Sequence, residues 1–187
     1  MTAPLLLQQL LNRSSMPRLE TPVPSAEELD QVLQAALRAP DHAYLRPTRL
    51  HVVVDDGLQR LGELFAEAVR EDDPEASDKV LAKARNRPLR APMIIVAGCR
   101  PMVHDGVPAI EQVASTAACV SLLQTALDSL GYASMWRTGA MAYHPRVKAA
   151  FDLGADDHLL AFLYVGTAAS APKAPPPMPL GDYVRRF

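Results

Sequence analysis

The stretch AIEQVASTAACVSLLQTALDSLG, residues 109–131, constrains the fold more than any other part of the chain. Ile110, Val113, Ala114, Ala117, Ala118, Val120, Leu122, Leu123, Ala126 and Leu127 carry apolar or small side chains nearly all the way round a helix. A surface helix keeps one polar face, and a helix without one is buried on most sides. Its alanines and serines also let a neighbouring helix approach closely. Gly131 stops it. The rest of the chain must therefore be arranged around this helix.

The flanking segments supply strands and amphipathic helices. Leu5, Leu6, Leu7, Leu10 and Leu11 outline a first helix ending near Asn12 or Arg13. Ser25 is an N-cap and Glu28, three places later, completes a capping box for a second helix. Pro40 limits its continuation. RLHVVV (49–54), APMIIVAG, YASMWR and HLLAFLYVG read as strands; GLQRLGELFAEAVRED, SDKVLAKARN and HPRVKAAFDLG read as helices. From Ala168 the chain turns proline-rich, and SAPKAPPPMPLGDYVRRF reads as an extended, polyproline-like arm. About 18 such residues span on the order of 50 Å, enough to reach round a partner subunit. The expectation is one domain, residues 1–187, with 168–187 as a C-terminal arm and no internal repeat.

Composition excludes several classes. The 187 residues suffice for a full core without a disulfide or metal, and the net charge of −2 gives no reason to expect a nucleic-acid or acidic-membrane partner. The opening MTAPLLLQQLLNR reads as neither signal peptide nor membrane span. Cys99 and Cys119 lack zinc or redox spacing and read as buried small residues, which fits a reducing cytoplasm. No dinucleotide-binding G-x-G-x-x-G, phosphate-binding Walker loop or G-x-S-x-G elbow occurs. His42, His51, His104, His144 and His158 are scattered, so no metal site is expected.

Three segments retain chemistry, and each has two readings. In NRSSMPR, Arg13 offers a fork of donors and Ser14 and Ser15 offer hydroxyls and amides; this suits a phosphate, or else is a polar helix end. In RAPDHAYLRP, Arg38, His42 and Arg46 stand at intervals of four and form either a pocket wall or an exposed helix terminus. In SMWRTG, Trp136, Arg137 and Thr138 end a strand beside a glycine; they either line a ligand or are a core tryptophan and a turn.

Together, LLNRSSMPRL, RAPDHAYLRP, NRPLRAPMIIV, GYASMWRTGA and FLYVGT appear in one collinear order over residues 4–167. In this the chain resembles the FMN-dependent nitroreductase family, in particular its short NAD(P)H nitroreductase members. The resemblance implies an α+β fold in an α/β/α arrangement, with a central mixed sheet flanked by helices, in an arm-exchanged homodimer. It implies one FMN per subunit at the dimer interface, NAD(P)H as donor, and a nitroaromatic, quinone or other small conjugated acceptor. By motif, Arg13, Ser14 and Ser15 would hold the phosphate and ribityl end. Arg38 and His42 would approach the same flavin from the other subunit, and Trp136, Arg137 and Thr138 would complete the site. Ala126, Leu127, Asp128, Ser129, Leu130 and Gly131 match the stretch assigned to the nicotinamide cofactor, though the segment also reads as the end of a core helix. No catalytic acid or base is needed for hydride transfer, and serial use of one flavin face implies ping-pong kinetics.

The chain leaves the family pattern in two places. Pro17 stands where many members have a basic residue, with Arg18 next, and Arg46 stands where many have Gln. Arg185 and Arg186 are further candidates for the phosphate. Two other functions fit the same residues: a flavin-storing or redox-sensing protein with little turnover, and a dimeric scaffold without flavin.

Overall fold

In the computed structural model, which describes residues 4–187, a five-stranded sheet lies between two helical layers. Seven helices and five strands follow in the order α1 (Leu5–Asn12), β1 (Leu19–Glu20), α2 (Ala26–Ala36), β2 (Thr48–Val54), α3 (Asp56–Asp72), α4 (Asp78–Arg85), β3 (Met93–Cys99), α5 (Ala109–Ser129), β4 (Ala133–Arg137), α6 (Pro145–Ala149), β5 (His158–Ala168) and α7 (Leu180–Tyr183). The central strands are β3 and β5. Every residue of β3 is buried, as its unbroken apolar run requires. β2 pairs with β3, while β4 and β1 pair with β5, and every pairing within the chain is antiparallel.

Alternation along β3 and β5 sends side chains into two cores. Ile94, Val96, Phe162 and Tyr164 face α3, where Phe65 and Phe162 meet edge to face at 5.2 Å. Ile95, Leu163 and Val165 face α5, whose Cys119, Leu123 and Leu127 are almost fully buried. The long helix thus lies along the sheet, as its composition demands, and α2 packs on it through Val32 and Ala36. The expected α/β/α architecture is present.

Local chemistry explains the element ends. The Ser25 hydroxyl accepts from the Glu28 N–H (3.3 Å), and the Ser25 N–H donates to the Glu28 carboxylate (2.8 Å), closing the predicted capping box. On the far face α4 presses against α3 at Gly62, where a methyl group would overlap the Arg85 carbonyl. Helix α6 is tied to α3 by Arg146, which donates to Glu71 and to Glu67. Of the histidines, His51 packs edge-on against Phe151 at 5.3 Å, and the His104 Nδ1 accepts from the Gly106 N–H, so both serve structure.

Several boundaries differ from expectation, and of the expected helix HPRVKAAFDLG only Pro145–Ala149 is helical. Helix α5 stops at Ser129 rather than 131, because Leu130 and Gly131 form its capping turn. The two-residue strand β1 was not foreseen: Pro17 and Pro22 flank it and hide its periodicity. It pairs Leu19 with Ala168, so the arm begins one residue later than expected. From residue 169 the arm is exposed throughout and otherwise irregular, with α7 as its one helical turn.

Candidate functional site

The loop after α1 is docked on the sheet. The Met16 N–H donates to the Ser134 carbonyl (3.1 Å), so residues 13–16 run against strand β4. Arg13 and Ser14 open onto a cleft of about 190 Å³ whose floor holds Gln124 and Ser134, joined by a 3.2 Å hydrogen bond. Asp128 and Gly131 line the same cleft. Of the six residues matched to nicotinamide binding, these two therefore face the Arg13 loop. Leu127 is fully buried in the core, and the Ser129 hydroxyl donates back to the Ala126 carbonyl at 2.7 Å. Ala126 is partly buried, Leu130 is exposed, and Ser15 is exposed beside the cleft.

Farther along β4, Trp136 and Arg137 point to opposite faces of the sheet, as successive strand residues must. The Trp136 indole lies on the α5 side against Ala97, Val120 and Ala161, and its N–H donates to the Leu160 carbonyl at 2.8 Å. The ring is half-buried, and Trp136 is also among the residues that border a cleft of about 490 Å³. Arg137, Thr138 and Gly139 line that cleft. Gly139 has φ +90° and ψ −173°, a backbone region open essentially to glycine alone.

Arg38 and Arg46 lie elsewhere within the chain. They line a third cleft, with Tyr44 and Cys119, beside the N-terminal half of α5. Burial pushes the Cys119 thiol up to about 11, which keeps it neutral and unreactive. Residues 42–44 form a single 3₁₀ turn in which the His42 Nδ1–H donates to the Glu111 carboxylate at 2.7 Å. The Arg46 N–H donates to Asp41 (2.7 Å), and Ala43, Tyr44 and Arg46 all adopt positive φ. Among the described residues, Arg38 lines a different cleft from Arg13 and from Arg137. Arg185 bonds back to the Gly181 carbonyl within the arm, and Arg186 is exposed.

The structure adds residues that the three motifs did not single out. Arg87 precedes and Arg90 ends a 3₁₀ turn (Pro88–Arg90), and both share the cleft of Arg137. A spacing of three eclipses side chains in such a turn, so the RPLR pattern carried the signal. Arg137 sits over the Tyr164 ring, its guanidinium 5.4 Å from the ring centre. The Tyr164 hydroxyl donates to the Arg87 carbonyl at 3.0 Å. Burial pushes this phenol up, and the nearby Arg137, Arg90 and Arg87 guanidiniums pull it partly back. The cleft is therefore strongly cationic, although the whole chain is slightly acidic.

The sequence pattern of the Nitroreductase family matches residues 11–167. A curated relative from Escherichia coli K12, "Putative NAD(P)H nitroreductase YdjA", is 34% identical over 181 residues, covering 95% of this chain and 98% of its own. The chain belongs to the nitroreductase family. A Haemophilus influenzae relative, "Putative NAD(P)H nitroreductase", is also 34% identical, over 86% of this chain and 87% of its own.

Solved structures place this family member in the same fold. A nitroreductase-like protein from Bacillus cereus superposes with a TM-score of 0.83 over 100% of this chain and 98% of its own, at 19% identity. A Bacteroides fragilis nitroreductase solved with bound FMN gives 0.76 over 99% and 100%, at 18% identity. Among the described residues no group of three or more His, Cys, Asp or Glu side chains is placed to hold a metal ion, and no helix is long and apolar enough to cross a membrane.

Proposed function

We propose that this chain is an FMN-dependent NAD(P)H oxidoreductase that works as a homodimer in the cytoplasm. The observation that carries the reading is the docking of the Arg13 loop on β4. One strand edge thereby carries Arg13 and Ser14 near one end and Arg137 and Thr138 at the other. That arrangement suits an elongated cofactor with a dianionic end and a flat, partly anionic ring. The donor set fits the group: guanidiniums and hydroxyls suit a phosphate, and a guanidinium beside the ring favours its reduced, anionic form. Bound FMN would supply two-electron transfer between a nicotinamide and a conjugated acceptor.

In this reading Arg13, Ser14 and Ser15 hold the phosphate and ribityl end, and Arg137 and Thr138 border the ring. The half-buried Trp136 completes the site from the same strand while its indole N–H fixes it to the Leu160 carbonyl. Arg38 and His42 serve the neighbouring subunit's FMN, giving one cofactor per subunit. Their separation from Arg13 and Arg137 within one chain supports that division. Asp128 and Gly131 are the residues of 126–131 left to meet the nicotinamide cofactor. The order is ping-pong, with nitroaromatics or quinones as acceptors.

A second copy is also favoured by exposed apolar surface. Leu5 is 73% and Leu11 is 64% exposed on α1, and Ile110 is 70% exposed at the start of α5. Helix α1 rests on α5, so these residues border the alanine-rich helix face. Purification tests the reading: a yellow protein whose colour NAD(P)H bleaches without oxygen supports it, and a colourless protein that cannot be loaded with FMN refutes it. A yellow protein that NAD(P)H leaves unbleached would be a flavin carrier instead.

A further inference from the structure

Arg18, Arg90 and Arg137 come from three separate places, the segment before β1, the turn after α4 and the end of β4. They line one open cleft beside β1. None of them is ion-paired with a carboxylate among the described residues. Glu20 is the one acidic residue lining this cleft, against three guanidiniums. Arg90 and Arg137 also line the cleft of Thr138 and Gly139, so the two clefts are neighbours. Met16, buried and anchored to Ser134, lines the cleft of Arg13, which shares no lining residue with either of them.

Like charges brought together from distant parts of a chain repel, and solvent screens that repulsion only in part. The fold nevertheless fixes one of the three, Arg137, over an aromatic ring. Such a cluster gains free energy from an oxyanion, which planar guanidiniums bind through paired hydrogen bonds. We propose that Arg18, Arg90 and Arg137 form an anion subsite, separate from the Arg13 phosphate loop, that takes a carboxylate or phosphate on a small molecule exchanging electrons at this site. The placement of Arg18 gives the departure at Pro17 a physical sense. The positive charge stands one residue later and faces this cleft. The proposal rests on the oxidoreductase reading for its use, though not for anion binding itself.

Two molecules offer such a group: an acidic aromatic acceptor, and the 2′-phosphate of NADPH. Calorimetry of the purified full-length protein at low salt tests the subsite directly, with sodium benzoate and inorganic phosphate as probes. At least one should bind the wild type and bind about tenfold or more weakly to Arg90→Gln and Arg18→Gln, the loss expected for one charge-assisted hydrogen bond. On the flavin-loaded protein, the ratio of kcat/KM for 4-nitrobenzoate over its methyl ester, and for NADPH over NADH, separates the sources. Collapse of the first ratio in Arg90→Gln assigns the subsite to the acceptor, and collapse of the second to the donor.

Absence of probe binding, or binding that both variants leave unchanged, overturns the proposal. So does a variant that loses FMN affinity while both ratios stay at the wild-type value, because the arginines then belong to the cofactor's own contacts. A protein that takes no FMN yet shows arginine-dependent benzoate or phosphate binding would refute the oxidoreductase reading and keep the subsite.

Discussion

At the scale of single residues, the turn at 42–46 carries strain that its sequence does not advertise. Ala43 has φ +59° and ψ +15°, a conformation that costs an L-residue roughly 1–2 kcal/mol and glycine very little. Ala43→Gly should therefore stabilise the fold by about 1 kcal/mol, once glycine's larger unfolded-state entropy is subtracted. A rise in the midpoint of thermal denaturation checks this. A fall would mean that the turn relaxes without cost. Arg13→Ala is expected to weaken FMN retention by about 10-fold to 100-fold, the loss of one or two charge-assisted hydrogen bonds, and to leave the oligomeric state unchanged. Fluorescence of released flavin and gel filtration measure the two effects. Residue chemistry was legible for Arg13 and Ser14 because their motif names donors. It was not legible for Arg18, whose role depends on which cleft wall an irregular segment meets.

At the scale of elements, local signals acted where a short stretch settles its own geometry. The capping box at Ser25 was readable from four residues, and Ser25→Ala should cost about 1 kcal/mol by chemical denaturation. The Glu28 carboxyl is held below its usual range, first by the Ser25 backbone N–H, then by the Ser25 hydroxyl and the Tyr132 hydroxyl. A carboxylate depressed in the folded state stabilises above the ordinary carboxylate range and loses that contribution as pH falls through its folded value. Wild type should accordingly lose stability with acidification more steeply than Glu28→Gln does below that range; parallel curves would contradict the linkage. Strand β1 shows the opposite case. Two residues between prolines have no period to read, and pairing with Thr167 and Ala168 creates the strand. Trp136 is intermediate: a strand-end tryptophan was evident, but only the register of β4 on β5 decides that its ring faces α5 while Arg137 faces the cationic cleft.

At the scale of the whole molecule, the long helix made the layered architecture readable, since an element without a polar face must be enclosed. Its enclosure within one chain is incomplete: Ala114 is exposed, Ala117 and Ala118 are half-buried, and the leucines of α1 stand beside it. If a second copy covers this face, the double variant Leu5→Glu/Leu11→Glu should shift the protein from dimer to monomer in sedimentation. FMN affinity should fall with it, because Arg38 and His42 would then be removed from the neighbour's site. A dimer that persists with full FMN affinity would exclude α1 from the interface. On the proposed dimer the motifs of two chains would converge on one flavin, an arrangement that one chain's periodicity does not encode; within the single chain they line separate clefts.

The central claim is that these cationic clefts serve a flavin that is reduced by a nicotinamide. Its most direct measurement is the visible spectrum of the purified, FMN-loaded protein, titrated with NADPH and NADH in the absence of oxygen. The flavin absorbance should be lost near one equivalent of one donor per bound FMN and recover when a nitroaromatic or quinone is added. A protein that fails to retain FMN, or a bound flavin that neither donor bleaches, would contradict that claim.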